Sequence, residues 1–166
     1  MFLDNNILLI AAAGNDGFSM ITNVNYPAAY DNVIAVAATN ENNLIADFSS
    51  TGPEIELSAP GVNIYSAYLN NSYTTLSGTS MAAPHVSGAS VLLLEKGLSP
   101  LQVKSLLINT AEDYGINGWD KEYGWGYIDL NNALNKSLFL IQDNINENSI
   151  KWYKINNVKK DDKYTL

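Results

Sequence analysis

Two stretches of this chain are apolar on every side. Ile7-Leu-Leu-Ile-Ala-Ala-Ala13 runs unbroken and stops at Gly14-Asn15-Asp16-Gly17, and Val33-Ile-Ala-Val-Ala-Ala38 repeats the pattern. A strand with one wet face alternates apolar and polar residues. Short runs without alternation belong to strands covered on both faces, the condition of a parallel sheet packed between layers. The expected class is therefore α/β, with a mostly parallel sheet sandwiched by helices.

Shorter extended pieces follow at Ile55–Ala59, Val62–Tyr68 and Tyr73–Leu76, broken by Pro and Gly. Met81 to Lys96 reads as a helix that is small or apolar nearly all round, which suits a position between layers. A second helix opens at Ser99-Pro100-Leu101-Gln102, with Ser99 as N-cap, Pro100 in the first turn and Gln102 closing a capping box. Val103, Leu106, Leu107 and Thr110 mark its inner face. Asp129 to Leu134 suits a short third helix, and Asn117-Gly118 is a turn signal. The other Asn pairs read as compositional bias.

The 166 residues amount to one domain, long enough for a real core. With 46% hydrophobic and 16% charged residues, the chain is neither disordered nor a coiled coil. The balance of 9 Lys against 17 carboxylates gives a net charge of −8, which argues against a nucleic-acid partner. Residues 1–95 carry eight of those carboxylates and no Lys, a bias that attracts cations. No cysteine is present, which excludes disulfides, zinc thiolates and a cysteine nucleophile. The longest apolar run is far short of the ~18 residues a membrane span needs. The first residues, Met-Phe-Leu-Asp-Asn-Asn, do not read as a signal peptide.

The chemistry concentrates in Leu76-Ser-Gly-Thr-Ser-Met-Ala-Ala-Pro-His-Val-Ser-Gly88. Ser80 lies where a Gly-containing turn meets a buried helix. A helix N-terminus offers unpaired N–H groups and the positive end of the dipole, which suit a developing anion. Two readings follow from the residues alone. Ser80 is either a helix N-cap or a nucleophile whose own backbone stabilises its oxyanion.

Gly78-Thr-Ser-Met-Ala-Ala-Pro-His-Val-Ser-Gly88 resembles the serine motif of the subtilisin-like proteases. Other stretches agree in the family's order: Ala11-Ala-Ala-Gly-Asn-Asp-Gly17, Tyr26-Pro27 through Val36, Phe48-Ser-Ser-Thr-Gly-Pro53, Ala59-Pro-Gly61 and Tyr123-Gly-Trp-Gly126. The resemblance covers roughly Ile7 to Leu134. It implies Ser80 as the acyl-transfer nucleophile and Asn15, otherwise a plain turn residue, as a side-chain donor to the oxyanion. It also implies a peptide or protein substrate, a cis Tyr26-Pro27 bond and an extracellular or cell-surface parent. Ala11, Ala12, Ala13 and Gly14 would form one wall of the substrate pocket, Asp16 its rim and Asn25 its floor.

Such a hydrolase needs a His base and an Asp that orients it. In the family both precede the oxyanion asparagine, and neither motif occurs in the fourteen residues before Asn15. The one histidine, His85, is five helical steps past Ser80, turned ~140° and raised ~7.5 Å. It faces away from Ser80, and the resemblance makes it a buried structural residue. The chain is therefore expected to hold the C-terminal half of a subtilisin-like catalytic domain in residues 1–136. Residues 137–166, with Trp152-Tyr-Lys-Ile155, would begin a truncated extension. The missing N-terminal half becomes an expected partner. The rival reading is a non-catalytic remnant or complementing half that binds a peptide or partner chain.

Glu54 and Glu56 stand two apart, on one side of a regular strand. They are either a solvated face or, by the resemblance, part of a weak Ca²⁺ or monovalent-cation site with carbonyls of Ala28, Tyr30 and Val33. No cofactor is required. Asn70-Asn71-Ser72 and Asn135-Lys136-Ser137 match the glycosylation sequon, at a frequency expected of an Asn-rich chain. Trp119, Tyr123 and Trp125 read as packing residues rather than a ligand platform.

Overall fold

A computed structural model describes residues 7–19 and 23–145, with the backbone alone for 139–145. The apolar runs form the expected parallel strands, β1 (Leu9–Ala12), β2 (Val33–Thr39) and β3 (Ile55–Pro60), in the order β1-β2-β3. Every residue of β2 is buried, whereas every residue of β1 is half-exposed. The Tyr26–Pro27 bond is cis.

The helices are α1 (Thr79–Glu95), α2 (Pro100–Thr110) and α3 (Leu130–Ile145). Alternate residues of β2 feed two cores. Ile34, Val36 and Ala38 join Leu57 and Ala59 of β3, Ala82, Val86 and Leu93 of α1, Val103 and Leu107 of α2, and Ala133 of α3. Ala35 and Ala37 face Ala13, Val24, Ala28 and Ile55. All three helices thus pack into one cluster. Among the described residues the opposite face, with Ala35 and Ala37, is met by loop residues.

Ser99 caps α2 with the expected capping box: Gln102 N–H donates to Ser99 Oγ, and Ser99 N–H to Gln102 Oε1. The third helix does not stop near Leu134. It runs to Ile145, started by Asp129 Oδ1 accepting from Asn132 N–H at 2.9 Å. The stretch Trp152–Ile155 lies outside the described residues.

β4 (Ile64–Tyr68) and β5 (Ser72–Leu76) form an antiparallel hairpin of their own. Its tip uses Asn70 and Asn71, at φ 57° and 54°. Asn tolerates this left-handed region best among residues with a side chain, so this Asn pair has a local cause. The root is pinned by Gly78 N–H to the Gly61 carbonyl at 2.8 Å and Asn63 N–H to Ser77 Oγ at 2.9 Å.

Candidate active site

Ser80 and Asn15 come together from distant parts of the chain. Asn15 follows the end of β1, and Ser80 is the second residue of α1. The cap position is taken by Gly78, at φ 156° and ψ 160°, a conformation open essentially to Gly alone. Ser80 is therefore not the N-cap of α1. No side chain at the cap position bonds the first turn; Asn15 does that from outside. Its Oδ1 accepts from Thr79 N–H and from Thr79 Oγ1, both at 3.0 Å. Thr79 Oγ1 in turn accepts from Gly14 N–H at 3.1 Å.

These bonds fix the orientation of the Asn15 amide. Its oxygen is committed to Thr79, so its NH₂ faces the other way. Asn15 Nδ2 is 3.5 Å, and Ser80 N 3.7 Å, from the point that a Cβ on Gly78 would occupy. Asn15 Oδ1 is 3.8 Å from the same point, so the whole amide and the Ser80 N–H border the space left by this glycine. Ser80 N–H and Ser80 Oγ make no hydrogen bond among the described residues. Both Ser80 and Asn15 are exposed, while Thr79 is 1% exposed. Thr79 links the Asn15 loop to the start of α1. Its only signal is its place inside Gly78-Thr79-Ser80, because its partners are 64 and 65 positions away.

His85 is exposed, contrary to the buried role that the resemblance implies. Its Nδ1 lies 2.8 Å from the carbonyl of Met81, one turn back on α1, and it makes no bond to Ser80. It shares an uncovered side of α1 with Pro84, Gly88, Val91 and Leu92, all exposed. A histidine there is buried only if something covers that side.

The proposed pocket residues are neighbours. Ala11 and Ala12 are half-exposed on β1, and Ala13 is buried. Asn25 N–H donates to the Ala13 carbonyl at 2.8 Å, and Asn25 Nδ2 donates to Asp16 Oδ2 at 2.7 Å. The Asn25 amide also lies against Gly14, 2.5 Å from where a Cβ would stand. Rim and floor are thereby tied to each other.

Glu54 and Glu56 are not brought together by strand alternation. Ala35 pairs with Ile55 but Val36 with Leu57, so Glu56 is the extra residue of a β-bulge and the period of two fails at that point. Glu56 Oε1 instead accepts from Lys104 Nζ on α2 at 3.0 Å. Ala28 and Val33 are buried, and the Tyr30 carbonyl already accepts from Val33 N–H at 3.0 Å. The oxygen donors are of the hard-cation type, but an ammonium already meets the Glu56 carboxylate. Glu56 Oε1 is thus shared with an ammonium, and a weak cation site here stands as a proposal. Among the described residues no three or more His, Asp or Glu side chains gather.

Trp119, Tyr123 and Trp125 pack, as expected. Tyr123 is buried, and Trp119 Nε1 donates to the Ile55 carbonyl at 2.9 Å. Among the described residues no helix is long and apolar enough to cross a membrane.

The profile of the Subtilase family (Peptidase_S8) matches residues 3–126. The chain is 49% identical over 130 residues to subtilisin DY of Bacillus licheniformis, covering 76% of this chain and 46% of the relative. It is 46% identical over 127 residues to the minor extracellular protease Epr of Bacillus subtilis (strain 168), covering 75% and 19%. It is 58% identical over 87 residues to a thermostable alkaline protease of Halalkalibacterium halodurans, covering 52% and 23%. The chain spans less than half the length of each of these relatives.

Proposed function

The chain belongs to the subtilase family, and on that premise we propose that it supplies the nucleophile and oxyanion hole of a serine endopeptidase. The observation that carries the reading is the pair of donors, Ser80 N–H and Asn15 Nδ2, around the space in front of Gly78. Ser80 Oγ attacks the scissile carbonyl carbon and gives its proton to a base. The carbonyl oxygen becomes an oxyanion that accepts from both donors, in a place where each is held before the reaction begins. Collapse expels the amine, which takes the proton. Water then cleaves the acyl ester on Ser80 by the same route.

His85 cannot be that base while it faces away and is bonded to its own helix. The base and its Asp are proposed to come from an N-terminal half that lies along β1 and the uncovered side of α1. That half joins peptide substrates as a partner. The substrate pocket is proposed to use Ala11–Gly14, Asp16 and Asn25. Residues 1–136 are taken as the catalytic portion and 137–166 as the start of an extension, a division that α3 crosses. The parent is proposed to be extracellular, as the name of the minor extracellular protease Epr says of that relative.

The second reading, a non-catalytic remnant, is favoured by the absence of any base near Ser80 among the described residues. The test is fluorophosphonate labelling and turnover of a fluorogenic peptide, with Ser80→Ala as blank, after mixing the chain with a related N-terminal half. Ser80-dependent turnover in the mixture supports the protease. Its absence with every half tried, together with no Asp or His motif encoded upstream, would leave the remnant.

A further inference from the structure

The stretch Phe48-Ser49-Ser50 belongs to the family resemblance but has no part in the chemistry above. In the structure it lies against the loop that carries Asn15. Ser50 N–H donates to the Gly14 carbonyl at 2.9 Å, and Asp16 N–H donates to Ser50 Oγ at 3.1 Å. Gly17 N–H donates to the Phe48 carbonyl at 2.9 Å. A single residue, Ser50 at 0% exposure, thus grips the backbone immediately before and after Asn15.

Asn15 itself is exposed and belongs to neither a strand nor a helix. Thr79 fixes which way its amide faces. It does not fix where the backbone beneath that amide stands, and an oxyanion donor is useful only within a few tenths of an ångström of its place. The bonds of Ser50 supply that second constraint from the opposite side of the loop. We infer that Ser50 is a positioning residue, which sets the distance of Asn15 Nδ2 from Ser80 N–H. The inference rests on the reading of Asn15 as an oxyanion donor and deepens it.

A matched control lies next to it. Ser49 is 2% exposed, and its Oγ accepts from Ala38 N–H in β2 at 3.0 Å. Ser49 Oγ also donates to the Ser50 carbonyl at 3.4 Å, so Ser49→Ala removes an equally buried hydroxyl that bonds Ala38 and Ser50 but none of residues 14–17. In the full chain, Ser50→Ala is expected to shift or broaden the NMR signals of the Asn15 side-chain amide, and Ser49→Ala to leave them in place. In the mixture with a base-bearing half, Ser50→Ala should lower kcat about tenfold at unchanged KM, a fraction of the ~10²–10³ that loss of the whole donor costs. In an Asn15→Ala background it should add nothing. Equal effects of the two serine variants, or an additive loss beside Asn15→Ala, would overturn the inference. A mixture without Ser80-dependent turnover would sink the protease reading instead. The amide signals of the lone chain then decide, and unchanged signals in Ser50→Ala overturn the positioning role.

Discussion

Along β3 the outer backbone is taken up by the segment 119–128. Trp119 Nε1 donates to Ile55 O, Trp125 N–H to Glu56 O, Ser58 N–H to Gly126 O and Ile128 N–H to Ser58 O. Along β1 the only strand pairing among the described residues is to β2, and α1 beside it leaves Val91 62% and Leu92 42% exposed. One edge is closed by chain that follows it in sequence, and the other has no further strand beside it among the described residues. From Leu57 to Leu94 there is no Asp, Glu, Lys or Arg, so the exposed side of α1 up to Leu94 carries no carboxylate, Lys or Arg. Ser80 is exposed at the start of α1, and no His, Asp or Glu bonds it among the described residues. The closed edge is thus the one tied down by backbone bonds, and on the proposed reading reactivity depends on what covers the open one.

Completing the open side should have the largest effect. In a subtilisin, removing the catalytic histidine costs on the order of 10⁶ in kcat, which leaves only the oxyanion hole and binding. The lone chain should show no appreciable peptidase activity, and a base-bearing half should raise Ser80-dependent turnover by several orders of magnitude. Brisk fluorophosphonate labelling of the lone chain would break the comparison at its root.

The closed edge is tested by Gly124→Ala. Gly124 is at φ 67°, and a Cβ there would stand 2.5 Å from the Glu56 carbonyl carbon. Left-handed strain and overpacking against backbone together cost on the order of 3 kcal/mol. Amide exchange at Trp125 and Ile128 should accelerate about 100-fold, the same energy expressed as an opening equilibrium. Unchanged protection would mean that the 119–128 segment does not hold β3.

The converse test is Leu92→Arg on the bare side of α1. The purified chain is expected to bind a hydrophobic dye and to lack a cooperative melt. The charge should reduce dye binding and aggregation while leaving the far-UV circular dichroism unchanged, since it meets solvent. It should also abolish complementation. A variant that complements as well as the parent would show that this side is not the docking face.

Much of this contrast was legible in the residues, because unbroken apolar runs announce buried parallel strands and the caps of α2 are local. The bulge at Glu56 was not, since register depends on the neighbouring strand. The closed edge was not, because a loop that bonds a strand through its backbone leaves no periodic trace. Thr79 and Ser50 act on residues 64 and 34 positions away, distances at which a sequence pattern carries no geometry. His85 is exposed where the resemblance implies burial, because nothing among the described residues covers its side of α1.

A smaller effect is expected where Lys104 meets Glu56 at the closed edge. Wild-type chain should bind Ca²⁺ weakly or not at all by titration calorimetry, because the ammonium already neutralises the carboxylate. Lys104→Met should bring out a binding heat that is lost again in Lys104→Met/Glu56→Gln. Equal heats from the two variants would remove Glu56 from any cation site.

The smallest effect concerns Tyr127, which bridges the closed edge to the loop before it. Its backbone pairs with Glu112 and lies beside Ser58. Burial, then the nearby Tyr114 and Glu112, raises its pKa above the ordinary 10.0. A raised pKa means that the folded chain holds this proton more tightly than the unfolded chain. The stabilisation is fully present below about pH 10 and is lost as pH rises through the folded value, because the unfolded state ionises first and binds fewer protons. Amide protection at Glu112 and Tyr127 should therefore decline above pH 10 faster than the intrinsic exchange rate accounts for. Tyr127→Phe should abolish that extra decline and leave protection at β1 unaffected. An extra decline that persists in Tyr127→Phe would assign the alkaline sensitivity to another group and detach this tyrosine from the stability of the closed edge.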